Sequence, residues 1–214
     1  MSEEIYYHFL SVKHAFEDLE RERIKVAIIS NLNDPFELLP DLSSKKTKEE
    51  RAPYHSLRRK VSKGHRLLCF SKTYEEQLLW SHYADGHKGI AIGFKILKHE
   101  PFEVAYVPEL GRVKLELTDD SIQNERLYLG LAKIKYKGWE YEHEFRILVP
   151  CKDCNEKDRS FLDFKGNLEV IEIILGCKFN RDDKEYMSKL AGKFHIKPIE
   201  TREAWEGYKI NERG

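Results

Sequence analysis

The stretch KVAIISNLNDPFELLP, residues 25–40, passes from an apolar run into a cluster of turn-forming residues. The β-branched run at 24–29 predicts a strand. The polar residues after it predict a short helical turn, in which Asp34 is the N-cap, Pro35 takes the first helical position and Glu37 lies in the first turn. Because capping explains these residue types, we expect a structural turn, with Glu37 capping it or pairing with a basic segment further along.

Hydrophobic periodicity on either side of this turn predicts strands and helices in no regular alternation. Further strands are predicted at 5–10, 66–71, 88–94, 103–107, 145–149, 161–164 and 170–175. Helices are predicted at 12–22, from a Thr73 cap to residue 86, at 121–135 and at 182–194, with a partly helical basic insert at about 41–66. This mixture favours an α+β fold with a mixed, mostly antiparallel sheet and flanking helices. No repeat or linker divides the chain, which predicts a single domain over residues 1–214.

The composition is that of a globular protein with a sizeable core. Of the 214 residues, 41% are hydrophobic and 12% aromatic. The acidic N-terminus MSEEIYYHFL lacks a secretory signal pattern, and no apolar run is long enough to span a bilayer. Four scattered cysteines favour a reducing compartment. We therefore expect a cytoplasmic protein that does not bind a membrane.

Two of the cysteines, Cys151 and Cys154, form a CxxC pair. A zinc site would need two further ligands at suitable spacing, and the sequence has no second pair. We therefore expect free thiols and no metal site.

The net charge is zero, from 37 Lys or Arg and 37 Asp or Glu, but it is unevenly distributed. Residues 45–66 hold nine Lys or Arg against two Glu, a net charge of +7, which leaves −7 on the rest of the chain. Such asymmetry is typical of proteins that bind a polyanion or a phosphate-bearing ligand. The alternative is a solvated helix, because Leu57 and Val61 lie four residues apart and the segment lacks interleaved aromatic residues.

Motifs of serine hydrolases, zinc proteases and nucleotide-binding loops are absent, but two polar clusters occur in the first half of the chain. Tyr7 and His8 lie on opposite faces of the first strand, and His8 offers a donor and an acceptor to a ribose or a phosphate. The stretch WSHYADGHKG holds Trp80 and Tyr83 on one helical face and His87 close to two glycines, whose backbone can approach a ligand. The alternative for both clusters is a packing role.

The third cluster is WEYEHEFR, residues 139–146. As a strand, it would place Glu140, Glu142, Glu144 and Arg146 on one face and the aromatic residues on the other. Neighbouring carboxylates repel one another unless a cation or a ligand compensates, which favours a functional site. The alternative is a solvent-facing edge strand whose charges prevent aggregation.

Taken together, these motifs resemble a known family. The motifs are LNDPFE at 32–37, CFS at 69–71, WSHYADGHKGIAIGF at 80–94 and WEYEHEFRIL at 139–148. Their order and spacing resemble a widespread, largely uncharacterised bacterial and phage-associated domain family of unknown function. The layout of that family is in turn similar to the ADP-ribosyltransferase superfamily. The resemblance implies a mixed-sheet fold that binds NAD in a cleft between two sheets.

The resemblance also implies roles for particular residues. In that superfamily an early strand supplies His or Arg to the NAD ribose, a middle element supplies Ser or an aromatic residue, and a late strand supplies a glutamate. Here His8 matches the first position, Ser71 or Tyr83 the second, and Glu144 or Glu142 the third. The other residues expected to bind NAD are Tyr7, Trp80, His87 and Arg146.

The chemistry of NAD cleavage fits these residue types. Breaking the bond between nicotinamide and ribose generates an oxocarbenium-like centre, which a carboxylate can stabilise or exploit by activating the nucleophile. We expect Glu144 to be this group, oriented by Arg146. Trp80 or Tyr83 would stack on the nicotinamide, and backbone amides near residues 86–89 would meet the pyrophosphate. The basic segment would then guide a nucleic-acid or protein acceptor.

Two other functional classes stay open. A non-catalytic nucleic-acid-binding or regulatory module of a phage-defence or toxin system would use the basic segment alone. A nuclease would recruit a divalent metal through the glutamates at 140–144, but no Asp or Lys completes a recognisable motif. Salt separates the first alternative from the transferase, because phosphate-driven binding weakens steeply as ionic strength rises.

Overall fold

The chain has an α+β fold, as predicted. The computed structural model describes residues 4–108, 113–154 and 160–213, in which five α-helices flank a mixed, mostly antiparallel sheet. The helices are α1 (Val12–Arg21), α2 (Lys48–Gly64), α3 (Gln77–Tyr83), α4 (Ser121–Gly130) and α5 (Lys184–Gly192). The strands are β1 (Tyr6–Leu10), β2 (Arg23–Lys25), β3 (Ala27–Ile28), β4 (His65–Ser71), β5 (Ile90–Ile96), β6 (Phe102–Glu103), β7 (Ala105–Val107), β8 (Ile134–Tyr136), β9 (Glu144–Pro150), β10 (Phe161–Asp163), β11 (Leu168–Leu175), β12 (Ile199–Glu203) and β13 (Ile210–Glu212).

A nine-stranded sheet forms the body of the described chain. Its order is β13-β12-β11-β5-β1-β4-β9-β6, with β3 also paired to β4. In this sheet β11 and β12 run parallel, and the other paired strands run antiparallel. The strand β5 lies between β1 and β11, and its first five residues are buried, which explains its continuous apolar sequence.

The sheet divides between β1 and β4. The strand β1 pairs with β5 along its whole length, but its described pairing with β4 is confined to Tyr7 opposite Ser71. The start of β4 pairs instead with β3, where Ala27 lies opposite Leu67. Between these two points β1 and β4 lie apart, and a cavity occupies the gap.

Apolar clusters on the two faces of the sheet hold the helices. On one face, Leu19 of α1 and Leu190 of α5 pack against β5 and β11. On the other face, Trp80 of α3 packs over β1, whereas Leu57 of α2 and Tyr128 of α4 belong to a separate cluster over β4. Alternate residues of β1 and β4 enter clusters on opposite faces, as strand geometry requires. The second face therefore carries two clusters on either side of the gap.

Capping residues explain where two of the helices begin. Ser11 accepts a hydrogen bond from the backbone N–H of His14 at the start of α1, as predicted. At the start of α2, the Glu50 N–H donates to Thr47 Oγ1 at 3.2 Å, and the Thr47 N–H donates to Glu50 Oε2 at 2.9 Å. This reciprocal capping box fixes the start of the basic helix.

Two predicted boundaries in the first half were wrong. The predicted strand at 24–29 is two strands, because the Val26 N–H donates to the Ser160 carbonyl at 2.8 Å and β2 pairs with β10 while β3 pairs with β4. Helix α3 begins after Glu76, whose side chain accepts from the Leu78 N–H at 3.0 Å, and not after Thr73.

Two predictions in the second half also change. The predicted helix at 121–135 ends at Gly130, and the following residues include β8, which pairs with β7. The segment predicted as a charged strand at 139–146 starts as a 3-10 helix, Lys137–Glu142. The backbone turns at His143, with a left-handed φ of 44°, before β9 begins at Glu144. A single strand face bearing Glu140, Glu142 and Glu144 therefore does not form.

Candidate functional site

A cavity of about 240 Å³ lies in the gap between β1 and β4. Its walls come from these two strands, the turn at 31–37, α3, and the segment that runs from β8 to the start of β9. The lining residues that can act on a ligand are His8, Ser71, Tyr83, Lys135, Glu142 and Glu144. The cavity therefore gathers polar groups from elements that are far apart in the sequence.

The turn at 33–37 forms one wall. Asp34 was predicted to be a helix N-cap, but it does not cap a helix. Its Oδ1 accepts from the Phe36 N–H at 2.8 Å, which closes a local turn. Its other oxygen, Oδ2, accepts from Trp139 Nε1 at 3.1 Å and ties the turn to the 3-10 helix across the cavity. The turn is therefore held by bonds other than the predicted cap, and it also lines the cavity.

Glu37 points inward from this turn and joins a buried ion cluster. Its carboxylate accepts from Arg146 Nη2 at 2.6 Å and lies 3.2 Å from Lys135 Nζ. Neither cation belongs to the basic segment at 45–66, so the predicted partner of Glu37 was wrong. Sequence separation hid this contact, because Glu37 and Arg146 are 109 residues apart.

Arg146 is the centre of the cluster and is 0% exposed. Its Nε and Nη2 donate to the two oxygens of Glu144 at 2.6 and 2.8 Å, and its Nη1 donates to the carbonyl of Ala132 at 3.0 Å. The paired bonds are the bidentate geometry in which arginine binds a carboxylate most strongly. Arg146 therefore orients Glu144, as predicted, but it is sealed away from any ligand phosphate.

Lys135 bridges the three carboxylates of the cluster. Its Nζ lies 2.5 Å from Glu142, 2.9 Å from Glu144 and 3.2 Å from Glu37. Three carboxylates thus share two cations, Lys135 and Arg146, which leaves one excess negative charge when all five groups are ionised. Buried charge without compensation is costly, so one carboxylate is poised to hold a proton.

Glu142 and Glu144 differ in their affinity for that proton. Burial alone would raise the pKa of Glu144, but the Arg146 guanidinium and Lys135 outweigh it and lower this pKa to about 2. Burial also raises the pKa of Glu142, and here Lys135 opposes the effect without cancelling it. A pair of carboxyl groups whose pKa values are pushed apart is the usual arrangement for acid–base chemistry.

Tyr83 holds the other side of Glu142. Its hydroxyl donates to Glu142 Oε1 at 2.6 Å, and burial together with this carboxylate raises the pKa of Tyr83. Tyr83 is therefore a neutral donor that fixes Glu142 at the cavity wall. The backbone of Glu144 is fixed separately, because its N–H donates to the hydroxyl of Tyr106 at 2.8 Å.

His8, Tyr7 and Ser71 lie where β1 and β4 separate. His8 Nδ1 is 2.7 Å from the Cys69 carbonyl, which only accepts, so this nitrogen carries the proton and Nε2 is left as an acceptor. Burial lowers the pKa of His8, which favours the neutral ring. Tyr7 lines the same cavity but donates to Glu172 at 2.5 Å.

Trp80 and His87 lie outside this cavity, although both were expected to bind NAD. Trp80 is fully buried against Phe9 and donates from Nε1 to the Tyr74 carbonyl at 2.6 Å. His87 Nε2 is 3.0 Å from the hydroxyl of Ser81, whereas the α3 residue that contacts Glu142 is Tyr83. Packing therefore accounts for Trp80, as the alternative interpretation held.

The loop at 86–89 does not provide an amide cradle. The N–H groups of His87, Lys88 and Gly89 donate to carbonyls of residues 80, 85 and 84. A Cβ at Gly89 would collide with the carbonyl oxygens of Leu10 and Ala84. This glycine is thus required for close packing, and the expected pyrophosphate contact has no basis there.

Sequence reasoning missed Lys135 and Trp139. Lys135 was read as part of a helix, whereas it lies on β8 with its ammonium 5.1 Å from the centre of the Trp139 ring. The available signal was the alternation of lysines with Ile134 and Tyr136 over residues 133–137, which is typical of a strand but does not distinguish the buried Lys135 from Lys133 and Lys137.

A second, larger cavity of about 630 Å³ adjoins the first. Five residues line both cavities: Asn33, Asp34, Glu37, Lys135 and Trp139. The larger cavity is mainly apolar, with walls that include Phe36, Leu131 and Tyr136. The two cavities together reach the size of ordinary small-molecule sites, about 300–1,000 Å³.

Neither a metal-binding cluster nor a membrane-spanning helix occurs in the described parts of the chain. In those parts of the chain, no group of three or more His, Cys, Asp or Glu is arranged to hold a metal ion. Cys151 and Cys154 are free thiols. Every helix at 4–108, 113–154 and 160–213 is too short or too polar to cross a bilayer.

The fold and the site thus define an α+β protein with a carboxylate-lined cavity in a divided sheet. Residues 79–147, which run from α3 into β9, match the family described as "Protein of unknown function (DUF2971)". This match supports the similarity to an uncharacterised domain family that the sequence motifs predict. No curated protein and no solved structure matches the chain.

Proposed function

We propose that the cavity binds NAD, breaks its nicotinamide–ribose bond and transfers ADP-ribose to a nucleic-acid or protein acceptor. One observation carries the proposal. The residues that the family resemblance assigns to NAD, namely His8, Ser71, Tyr83 and the glutamate pair, line one cavity between two diverging strands. The resemblance implies a cleft between two sheets, whereas this cavity lies between β1 and β4 of one sheet, so the support comes from the residues that line it.

In this proposal Glu142 is the reacting carboxylate, and Glu144 is its ionised partner. Both oxygens of Glu144 are bound by Arg146, and Lys135 adds a further contact. Glu142 has a raised pKa and is held by Tyr83 and Lys135, which suits a group that accepts a proton during the reaction. The role expected of Glu144 from the sequence therefore passes to Glu142.

The reaction balances with these groups. The bond between ribose C1′ and the nicotinamide nitrogen breaks, and its electron pair stays on the nitrogen, which neutralises the positive ring. The excess negative charge of the ion cluster favours the positive charge that develops on the ribose. The nucleophile bonds to C1′ and its proton moves to Glu142.

The remaining lining groups would bind the substrate. His8 Nε2 would accept from a ribose hydroxyl, because Nδ1 is already bonded to the Cys69 carbonyl. Tyr83 and Trp139 offer aromatic surfaces to the nicotinamide ring at the two sides of Glu142. Ser71, where β4 meets β1, offers a hydroxyl at the bottom of the gap.

The test is nicotinamide release from NAD by the purified protein. We expect release by the wild type, a loss of about 100-fold or more in Glu142→Gln, and no change in Glu140→Gln. Glu140 is the matched control, because it is an exposed glutamate on the same 3-10 helix and does not line the cavity. Absence of both NAD binding and nicotinamide release in the wild type at millimolar NAD would overturn the proposal.

A second function is favoured by the charge of α2. The helix exposes Lys48, Arg51, Arg59 and Lys63, which suits a non-catalytic nucleic-acid-binding or regulatory module, for example in a phage-defence or toxin system. This module would bind nucleic acid without releasing nicotinamide. The same nicotinamide assay therefore separates the two functions.

A further inference from the structure

The basic residues of α2 form a stripe along one side of the helix. Positions 48, 51, 55, 59 and 63 are three or four residues apart, which aligns Lys48, Arg51, His55, Arg59 and Lys63 on one face. All five are exposed, whereas Tyr54, Leu57 and Val61 are buried on the opposite side. The stripe is thus directed to solvent and covers about 22 Å of helix, at 1.5 Å per residue.

The acidic residues near this stripe are Glu49 and Glu50 in the first turn of α2 and Asp41 in the loop before it. The Glu50 carboxylate is engaged in the capping box, where it accepts from the N–H groups of Lys46 and Thr47. Lys60, on another side of the helix, forms an ion pair with Glu125 at 2.5 Å. Lys60 is therefore already paired with an acidic residue, whereas its neighbour Arg59 belongs to the stripe.

Two shallow depressions lie along the stripe, each of about 390 Å³. Arg51 and His55 line both of them, and one depression extends to Lys48 and Arg59. The other extends along the loop 39–43 as far as Leu39. Cationic side chains around a shallow depression provide contacts for phosphate groups.

The stripe adjoins the cavities of the candidate site. Leu39 lines both the depression beside the 39–43 loop and the large apolar cavity, so these two spaces are neighbours. The apolar cavity in turn shares Asp34, Lys135 and Trp139 with the polar cavity that holds Glu142. These adjoining spaces follow one another from Arg59, past the 33–43 loop, to Glu142, and we call this series the path.

Aromatic residues border the middle of this path. Phe36 is 62% exposed and Tyr136 is 52% exposed, and both line the apolar cavity together with Trp139. The basic segment itself lacks interleaved aromatic residues, but the fold brings aromatic rings from the 33–37 turn and β8 beside it. Basic groups followed by aromatic surfaces are the combination that binds phosphates and unpaired bases.

We propose that the acceptor is a single nucleic-acid strand that lies along this path. This inference rests on the proposed transferase function. Phosphates contact the stripe on α2, a base enters the apolar cavity between Phe36 and Tyr136, and the strand delivers its nucleophile to the cavity of Glu142. A duplex does not fit this description, because its bases are stacked and paired and do not enter an aromatic cavity.

The first test measures strand binding in the absence of NAD. The probes are fluorescein-labelled single-stranded DNA and RNA of about a dozen nucleotides, and a duplex of the same sequence, followed by anisotropy at increasing salt. We expect Arg59→Gln to reduce the slope of log K against log salt by about 0.7, the loss of one single-strand phosphate contact. Lys60→Gln removes the same charge at the adjacent position. It should leave the slope unchanged, because Lys60 is paired with Glu125.

A second variant tests the aromatic part of the path. Tyr136→Ala should weaken binding about fivefold or more at every salt concentration, because base stacking is lost while the phosphate contacts remain. Equal effects of Arg59→Gln and Lys60→Gln, duplex binding as tight as strand binding, or no strand binding by the wild type would each overturn the inference.

Transfer of ADP-ribose is measured on the bound oligonucleotide. With NAD present, the wild type should add the mass of one ADP-ribose to the bound oligonucleotide, and Glu142→Gln should bind the strand without modifying it. Nicotinamide release without strand binding would remove only this inference. Strand binding without nicotinamide release would instead remove the transferase function and leave the path as a nucleic-acid-binding surface.

Discussion

Glu142 and Glu144 lie two residues apart and share Lys135, yet replacing each by glutamine should affect the stability of the protein differently. Glu144→Gln leaves the buried Arg146 without its bidentate carboxylate, and we expect a loss of about 3–5 kcal/mol in the free energy of unfolding. Glu142→Gln removes the excess carboxylate of the cluster, and at pH 8 we expect little loss or a gain. Urea unfolding of the two variants and the wild type measures both values.

The pH dependence of the same experiment provides its control. Because the folded pKa of Glu142 is raised, the folded wild type binds an additional proton between the unfolded pKa, about 4.3, and the higher folded pKa. The stability contributed by this group therefore falls as pH rises through that window. Glu142→Gln has no proton to release, so its stability relative to the wild type should improve from pH 5 to pH 8. A constant difference would contradict the assigned pKa shift.

Single residues were only partly predictable from the sequence. His8, Ser71, Tyr83 and the two glutamates could be chosen because their motifs carry chemistry, and they do line one cavity. Lys135 and Glu37, which complete the ion cluster, were not predicted, because Lys135 lies on another element from Glu142 and Glu37 is 109 residues from Arg146. No local pattern records such contacts, because they depend on which strands become neighbours in the sheet.

At the scale of elements, the loop after α3 contains two glycines with different roles, one required for close packing and one for a turn. Gly89→Ala would place a Cβ against the carbonyl oxygens of Leu10 and Ala84, and we expect a loss of about 1–3 kcal/mol in the free energy of unfolding. Gly86 has a left-handed φ of 59° and open space around it. Gly86→Ala should therefore cost about 1–2 kcal/mol through backbone strain alone.

Thermal unfolding compares the two glycine variants, and NAD binding completes the test. Neither substitution should change NAD affinity in molecules that remain folded, because the N–H groups of residues 87–89 donate to the carbonyls of residues 80, 85 and 84. A selective loss of NAD affinity in Gly86→Ala, with normal stability, would restore the phosphate-binding role that the sequence suggested for this loop.

Element types were more predictable than their boundaries. Strand β1 and helix α1 follow from periodicity and the Ser11 cap, and β5 follows from its apolar run. The WEYEHEFR segment was misread because alternating residues resemble a strand, whereas the left-handed backbone at His143 ends a 3-10 helix first. The turn places Glu142 on the 3-10 helix and Glu144 on β9, and both still contact Lys135. One straight strand would not give the two glutamates such different environments.

At the scale of the whole molecule, the distribution of charge and the division of the sheet act together. We expect the +7 segment at 45–66 to attract a polyanion and the remaining −7 to repel it from other surfaces. The gap between β1 and β4 gives the carboxylates a cavity that opens toward the loop 33–43. Composition alone predicted the attraction. The connection between the two sites could not be predicted, because it arises from the pairing of β3 with β4 and the packing of α2 beside it.

Hydrogen–deuterium exchange tests this connection across the whole chain. NAD should slow exchange in peptides covering 33–37 and 139–144, because these segments line the polar cavity. A single-stranded oligonucleotide should slow exchange in peptides covering 39–59, and the two ligands together should protect the 33–43 loop most strongly. Helix α5 packs on the opposite face of the sheet and serves as the internal control. Protection by the oligonucleotide that includes α5 but not α2 would contradict the proposed path. Protection of α2 alone, without the loop, would mean that the basic stripe binds nucleic acid independently of the cavity.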